Sequence, residues 1–259
     1  MTPFSEIIKI KSLETTITIL SSLLLIASIL SNITILLISV FLLTILFSFA
    51  WPRLLTIEHP ISISIIIIFI STAAIILQSF FTQLGTLTYQ IYIFVSCFIV
   101  CVVDELFISK NKEPMSSLAY SFLGSIIAVS SVGWISLTQL GQLSVKYALF
   151  SLIILAICSF ISFIEVFLID KLPYQQFNYI KISILAILTI VSSIIAYFTV
   201  GQLSWKLSGV IATIIFMIYV VKMVLLSDIH IKNSVFAKPL FPIMLLGLLV
   251  YINLSIFMR

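Results

Sequence analysis

The chain has 259 residues, 62% of them hydrophobic and only 8% charged, with a net charge of +4 at neutral pH. A soluble domain carries about 25% charged residues, so this composition excludes a water-soluble globular protein. The 13 basic residues are too scattered for a nucleic-acid surface, and no nucleic-acid partner is expected. Lipid is the solvent such a chain requires, and only helices or a closed barrel satisfy backbone N–H and C=O groups there. Barrel strands are about ten residues long and alternate, whereas the runs here are 17 residues or longer and apolar throughout. The expectation is an all-α polytopic bundle with the lipid bilayer as its surroundings.

Residues 1–14 are polar with both signs of charge and are read as a cytoplasmic segment preceding a single transmembrane domain, 15–259. The run that follows is too long for a signal h-region and lacks a small-residue cleavage site, so it is read as retained. That run, 15–50, has 36 residues and as one helix would extend about 54 Å. About 20 residues suffice to cross the hydrocarbon core. The polar pair Ser31-Asn32 divides it into helices at 15–31 and 33–50. Seven more are predicted at 61–80, 87–108, 115–137, 145–169, 181–200, 206–227 and 240–258, which makes nine.

Charge distribution supports this count. With the N-terminus inside, the inner segments hold Lys9, Lys11, Arg53, Lys110, Lys112, Lys171, Lys181, Lys222, Lys232 and Lys238, and the outer ones only Lys146, Lys206 and Arg259. A ten-to-three split is the bias that sets orientation; a single first helix would reduce it to eight to five. The C-terminus is then outside. All nine acidic residues and both histidines, His59 and His230, fall on the inner side, so acid–base chemistry would face the cytoplasm.

The outer turns resemble one another. Gly-Gln-Leu-Ser-x-Lys recurs at 141–146 and 201–206, and Gln-Leu-Gly-Thr-Leu-Thr at 83–88 is a variant. The inner corners, His59-Pro60, Glu113-Pro114, Leu172-Pro173 and Lys238-Pro239, follow the same period. Proline suits a first helical turn, where its missing N–H is not needed. The pattern reads as four helical hairpins plus a final helix, arising either by duplication or because short loops in an Ile/Ser-rich chain look alike. No proline is predicted in a helix interior, which counts against a broken-helix transporter. Trp51, Trp134 and Trp205 fall near predicted helix ends, the headgroup level that amphipathic rings prefer.

Four acids form the candidate intramembrane polar site. Asp104 and Glu105 lie about a turn inside the fourth helix, and Glu165 lies within Phe-Ile-Ser-Phe-Ile-Glu-Val-Phe-Leu-Ile, a turn from Asp170-Lys171. A carboxylate in the membrane is costly and by default a functional hypothesis, suited to a proton relay or coupling site. The bland alternatives are a solvated helix end paired with Lys110 or Lys112, and an ion pair of Glu165 with Lys171. In the fifth helix Ser117, Ser121, Gly124, Ala128 and Ser131 are spaced 4, 3, 4, 3. Small residues on one face let helices approach closely, so this is read as a packing seam, or alternatively a polar path. Cys97 and Cys101 share a helix face at i, i+4. Zinc wants four ligands and no histidine stands near them in sequence, so neither a metal nor another cofactor is expected.

Walker A, H-E-x-x-H and G-x-S-x-G are all missing, which removes self-powered ATP-driven transport and the commonest hydrolases. Trp51-Pro-Arg-Leu together with Gly124 and Ser130-Ser-Val-Gly-Trp134 resembles a functionally uncharacterised family of bacterial multi-pass, permease-like membrane proteins. The resemblance implies about nine helices in a bacterial plasma membrane and carries no site residues. A permease-like protein, or a membrane subunit with a membrane or cytoplasmic partner, is the leading expectation. The others are an enzyme acting on a lipid or polyprenyl head group at the cytoplasmic face, and a non-catalytic scaffold.

Overall fold

The structure, a computed structural model, describes residues 4–55, 60–80, 86–109, 114–141, 152–161 and 236–257, with a few helical positions between 183 and 219. Among the described residues it is helical and contains no strand. The elements are α1 (Phe4–Ser31), α2 (Ile33–Leu54), α3 (Pro60–Phe80), α4 (Thr86–Val103) continued by a π-helical segment (Asp104–Ser109), α5 (Pro114–Ser130), α6 (Val132–Gly141), α7 (Leu152–Ile161) and α8 (Ala237–Phe257). Four stretches, Ser12–Ser31, Ile33–Leu54, Pro60–Phe80 and Pro114–Ser136, are long and apolar enough to cross a membrane.

The first apolar run is two helices, and the break falls at the polar pair. Asn32 is extended (φ −154°, ψ 151°), and its side-chain oxygen accepts from the Thr34 N–H at 3.4 Å. An N-cap of this kind satisfies one of the donors that a helix start leaves open. Folded back on each other, α1 and α2 are joined by a bond between the Ser28 and Ser39 hydroxyls at 2.7 Å. Helicity in α1 starts at Phe4, ahead of the membrane-spanning stretch Ser12–Ser31.

Along α2 the buried positions are Leu36, Ser39, Val40, Leu43, Thr44, Phe47, Ser48, Ala50, Trp51, Pro52 and Leu54, mostly an i, i+3, i+4 stripe. The stripe holds the hydroxyls, while Ile35, Ile38, Phe41, Leu42 and Phe49 are exposed. α3 likewise buries Ser64, Ser71 and Gln78 among Ile63, Ile66, Ile67, Ile70, Ala74 and Ile75, and exposes Ile61, Ile65, Phe69 and Phe80. Apolar side chains cost nothing facing lipid, so association in a membrane rests on packing and interhelical hydrogen bonds, and small or polar residues turn inward.

The expected fifth helix is present as one membrane-spanning stretch, Pro114–Ser136, with a one-residue break at Ser131 that divides α5 from α6. The α-helix stops at Ser130, and Ser131 forms a turn in which its N–H donates to the Ala128 carbonyl at 3.2 Å. The Ser131 hydroxyl also reaches that carbonyl at 2.6 Å, and a hydroxyl inserted into the backbone ladder is a recognised cause of a helix bend. Beyond this turn α6 packs against α8. Gly133 there meets the Gly247 backbone so closely that a Cβ would overlap it, and the Trp134 Nε1–H donates to the Ile243 carbonyl at 2.9 Å.

The prolines also depart from expectation. α8 begins at Ala237, which places Pro242 inside it, and Pro52 lies in the last turn of α2. Pro52 has no N–H for the carbonyl one turn back, that of Ser48. Instead the Ser64 hydroxyl of α3, shared with its own Pro60 carbonyl at 2.7 Å, reaches the Ser48 carbonyl at 2.9 Å. A neighbouring hydroxyl is a usual means of satisfying the carbonyl that proline releases in a membrane helix.

Trp51 and Trp134 are 1% and 0% exposed, so these indoles are core side chains and not headgroup anchors. Trp51 stacks between Phe47, at 5.3 Å, and Phe241, at 6.3 Å, and donates from Nε1 to the Tyr120 carbonyl at 2.9 Å. Burying an indole N–H requires a partner, and each of these found a helix carbonyl four residues before a glycine, Gly124 or Gly247. Trp205, and most of the predicted helices at 145–169, 181–200 and 206–227, lie outside the described residues.

Candidate acidic site at the charged end

The contacts fix which helix ends lie together. Trp51 on Tyr120, Ser64 on Ser48, Ser62 on Asp104 and Phe241 on Trp51 set the C-terminal ends of α2 and α4 beside the N-terminal ends of α3, α5 and α8. The Ser28–Ser39 pairing brings the N-terminal half of α1 to that same end. The charged side chains that the structure describes therefore gather there: Glu14, Arg53, Asp104, Glu105 and Lys238. At the opposite end the described polar groups are uncharged: Asn32, and the Gln78–Gln139 pair at 2.7 Å.

Asp104 and Glu105 open the π-helical segment, where backbone bonding runs from i to i+5 instead of the expected α pattern. Such turns are rare and concentrate at functional sites. Both residues are buried, at 5% and 7% exposure. The Asp104 Oδ1 accepts the Ser62 O–H at 2.7 Å. Taking a carboxylate out of water costs several kcal/mol unless hydrogen bonds or charges compensate, so a partner on α3 is what the position requires.

Above Asp104, moving into the bundle, the polar side chains continue. Cys101 and Cys97 are buried one turn apart on α4, one and two turns from Asp104, and Ser125 of α5 lies beside them. Phe98 meets Phe122 edge-on at 5.4 Å. The pairings Cys97–Ser125 and Phe98–Phe122 are those of antiparallel helices, and they put Asp104 at the level of Ser117. Along α5 the Ser125 hydroxyl donates to the Ser121 carbonyl at 2.9 Å, and Ser121 to the Ser117 carbonyl at 2.7 Å. Asp104, Cys101 and Cys97 on α4 and Ser117, Ser121 and Ser125 on α5 thus form a column of buried polar side chains inward from the charged end.

The structure buries all five small residues singled out on α5 and its turn: Ser117, Ser121, Gly124, Ala128 and Ser131. Gly124 lies under the Trp51 indole, and the Ser131 hydroxyl is 3.4 Å from that of Thr44 on α2. Glu165 and Asp170, with Lys110, Lys112 and Lys171, lie outside the described residues. Ser62 was not singled out from the sequence. Its one available signal was its place in the first turn after Pro60, opposite the acidic end of the preceding hairpin.

No metal-binding group of three or more His, Cys, Asp or Glu residues occurs among the described residues. No protein-family model, curated protein or solved structure matches the chain. The two stretches behind the family resemblance, around Trp51 and around Gly124–Trp134, are in contact in the structure.

Proposed function

We propose that the chain is a permease-like protein, or the membrane subunit of a transport system, that moves a small or amphiphilic molecule across a bacterial plasma membrane. The observation that carries this reading is the buried Asp104–Glu105 pair, with Asp104 bonded by Ser62, at the charged end of a column of buried polar side chains on α4 and α5. An intramembrane carboxylate facing a bundle interior is the usual mark of a substrate or proton pathway. Glu165 and Asp170 are assigned to the same polar site, from their position at the inner side in the nine-helix reading.

The topology belongs to this proposal. Nine helices with the N-terminus in the cytoplasm and the C-terminus outside place the charged end of the bundle at the cytoplasmic face, and the four hairpins plus a final helix supply the framework. The gathering of described charges at one end supports that orientation through the positive-inside rule.

The test is reconstitution into proteoliposomes and measurement of uptake for a panel of small organic cations, weak acids and amphiphiles, with and without a proton gradient. The expected result is uptake of one class that falls at least about tenfold in Asp104→Asn and in Glu165→Gln, the loss expected when a positioned proton-transfer group is removed. No uptake of any member would overturn the transport reading.

A further inference from the structure

One buried charge takes no part in the acidic site as described above, the ammonium of Lys238. It is the second residue of α8, where the helix dipole is positive and disfavours a cation. A lysine at a membrane surface ordinarily extends its head to water, yet Lys238 keeps only 8% of its surface exposed. Ala237, Leu240, Phe241, Ile243 and Met244 are buried as well, so α8 enters the bundle surrounded by other helices. A charge in that position requires an anion.

The register of the helices names one. α8 packs against α1, α2, α5 and α6, and among the described residues the acidic side chain on those helices is Glu14 of α1. The Ser28–Ser39 bond sets the level of α1 on α2. Trp51, twelve residues beyond Ser39, therefore stands level with Thr16, twelve before Ser28. Phe241 stacks on Trp51 at 6.3 Å. α8 starts from the charged end as α1 does, so Lys238, three residues before Phe241, falls level with Leu13 and Glu14. The face agrees with the level. Glu14, Thr18, Ser21, Leu25 and Ser28 recur on one side of α1 at a 4, 3, 4, 3 spacing, which marks a single helix face, and the last four are buried. Glu14 is half-buried at the charged end of that row. Asp104 and Glu105 belong instead to the end of α4, which packs against α3 and α5.

We propose that Glu14 and Lys238 form an ion pair, a latch that holds the charged-end half of α1 against α8. The Ser28–Ser39 bond fastens the other half of α1 to α2. The two contacts therefore fix that helix at both ends, and loss of the pair frees the charged-end half alone. The latch stands independently of the transport reading.

Two measurements on the full chain in lipid nanodiscs test it, and neither needs a substrate. The first is proximity. Glu14→Cys combined with Lys238→Cys, oxidised with copper phenanthroline and digested, is expected to yield a disulfide-joined peptide pair by mass spectrometry, and Glu105→Cys combined with Lys238→Cys to yield none. The second is opening. Thr18 lies one turn from Glu14 on the buried row, so Thr18→Cys is expected to react slowly with a soluble maleimide. Adding Lys238→Gln or Glu14→Gln should speed that reaction about tenfold or more, because each strands one charge of a buried pair. Lys238→Arg, which keeps the charge, should leave it slow, and this separates loss of the pair from a general loss of packing. Absence of the 14–238 link, a 105–238 link in its place, or labelling of Thr18→Cys that Lys238→Gln does not change would each overturn the latch.

Discussion

The indole of Trp51 lies across Gly124 while its Nε1–H donates to the Tyr120 carbonyl, one turn earlier in the same helix, at 2.9 Å. Only glycine lets the ring come so near. A Cβ at 124 would stand 2.5 Å from both Cδ1 and Nε1 of the indole. The ring has no room to withdraw, since Phe47 and Phe241 stack on it. Gly124→Ala is therefore expected to destabilise the protein by about 1–3 kcal/mol, the usual cost of overpacking. Trp51→Phe, which forfeits one hydrogen bond but keeps the stack, is expected to cost about 1 kcal/mol. Thermal unfolding in nanodiscs, followed by circular dichroism, ranks the two.

At Gly133 the same experiment meets a harder obstacle. A Cβ there would overlap the Gly247 backbone and not a side chain, and a backbone moves only with its whole helix. Gly133→Ala is expected to cost more than Gly124→Ala, and to release Trp134 from the Ile243 carbonyl. The second effect reads out as a red shift of tryptophan emission as the indole meets water. A Gly133→Ala protein as stable as the parent would show that α6 and α8 do not cross this closely.

Pro52 and Ser64 are expected to be coupled. The Ser64 hydroxyl reaches the Ser48 carbonyl that Pro52 leaves without its helical donor. Ser64→Ala alone should cost about 0.6–1.7 kcal/mol, the range of single interhelical hydrogen bonds in membranes. Pro52→Ala restores the N–H, so in that background Ser64→Ala should cost measurably less. Strict additivity in this double-mutant cycle would mean that the two groups do not share the carbonyl.

How much of this was legible beforehand differs from residue to residue. The hairpin of α1 and α2 was legible, because an asparagine in the middle of an overlong apolar run has no better place than a cap. So was the inward face of α5, since small residues at a 4, 3, 4, 3 spacing mark one side of a helix. The break at Ser131 was not. Ser130-Ser131 resembles the other serine pairs in the chain, and which hydroxyl enters the backbone ladder depends on the helices packed outside it. The π-helical segment was not legible either, because Asp-Glu-Leu-Phe carries no signal for a bonding shift from i+4 to i+5. Trp51 and Trp134 misled for a related reason: a position near a helix end says nothing about whether the ring faces lipid or a neighbouring glycine. The choice of Ser62 as partner for Asp104 required knowing which ends of α3 and α4 meet.

Single-cysteine labelling tests the hairpin and the orientation together. Asn32 and Arg53 are exposed at opposite ends of α2. The native thiols are buried, at 0% for Cys97, 2% for Cys101 and 0% for Cys158, so an impermeant maleimide meets little background from them. On intact cells Asn32→Cys is expected to label and Arg53→Cys to stay unlabelled until the membrane is opened. α2 spans about 33 Å for its 22 residues, at 1.5 Å each, which matches a hydrocarbon core of about 30 Å. Labelling of both positions from one side would remove α2 as a crossing, and with it the nine-helix topology.

Asp104 tests whether burial at the charged end is functional or only tolerated. The amide of Asp104→Asn keeps an oxygen for the Ser62 O–H and removes the cost of a buried charge. Such neutral replacements are often as stable as the parent or more so, provided no partner charge is left behind. The expected outcome is an unchanged or raised unfolding temperature together with loss of flux, the trade-off found where a destabilising group is kept for activity. Ser62→Ala should do the reverse: it removes a hydrogen bond to a carboxylate, worth about 1.5–3 kcal/mol, and should lower stability more than flux. Both quantities come from one preparation, unfolding in nanodiscs and uptake in proteoliposomes. If Asp104→Asn lowers stability and flux in proportion, the carboxylate is a structural strut, and the polar column is a packing feature of α4 and α5.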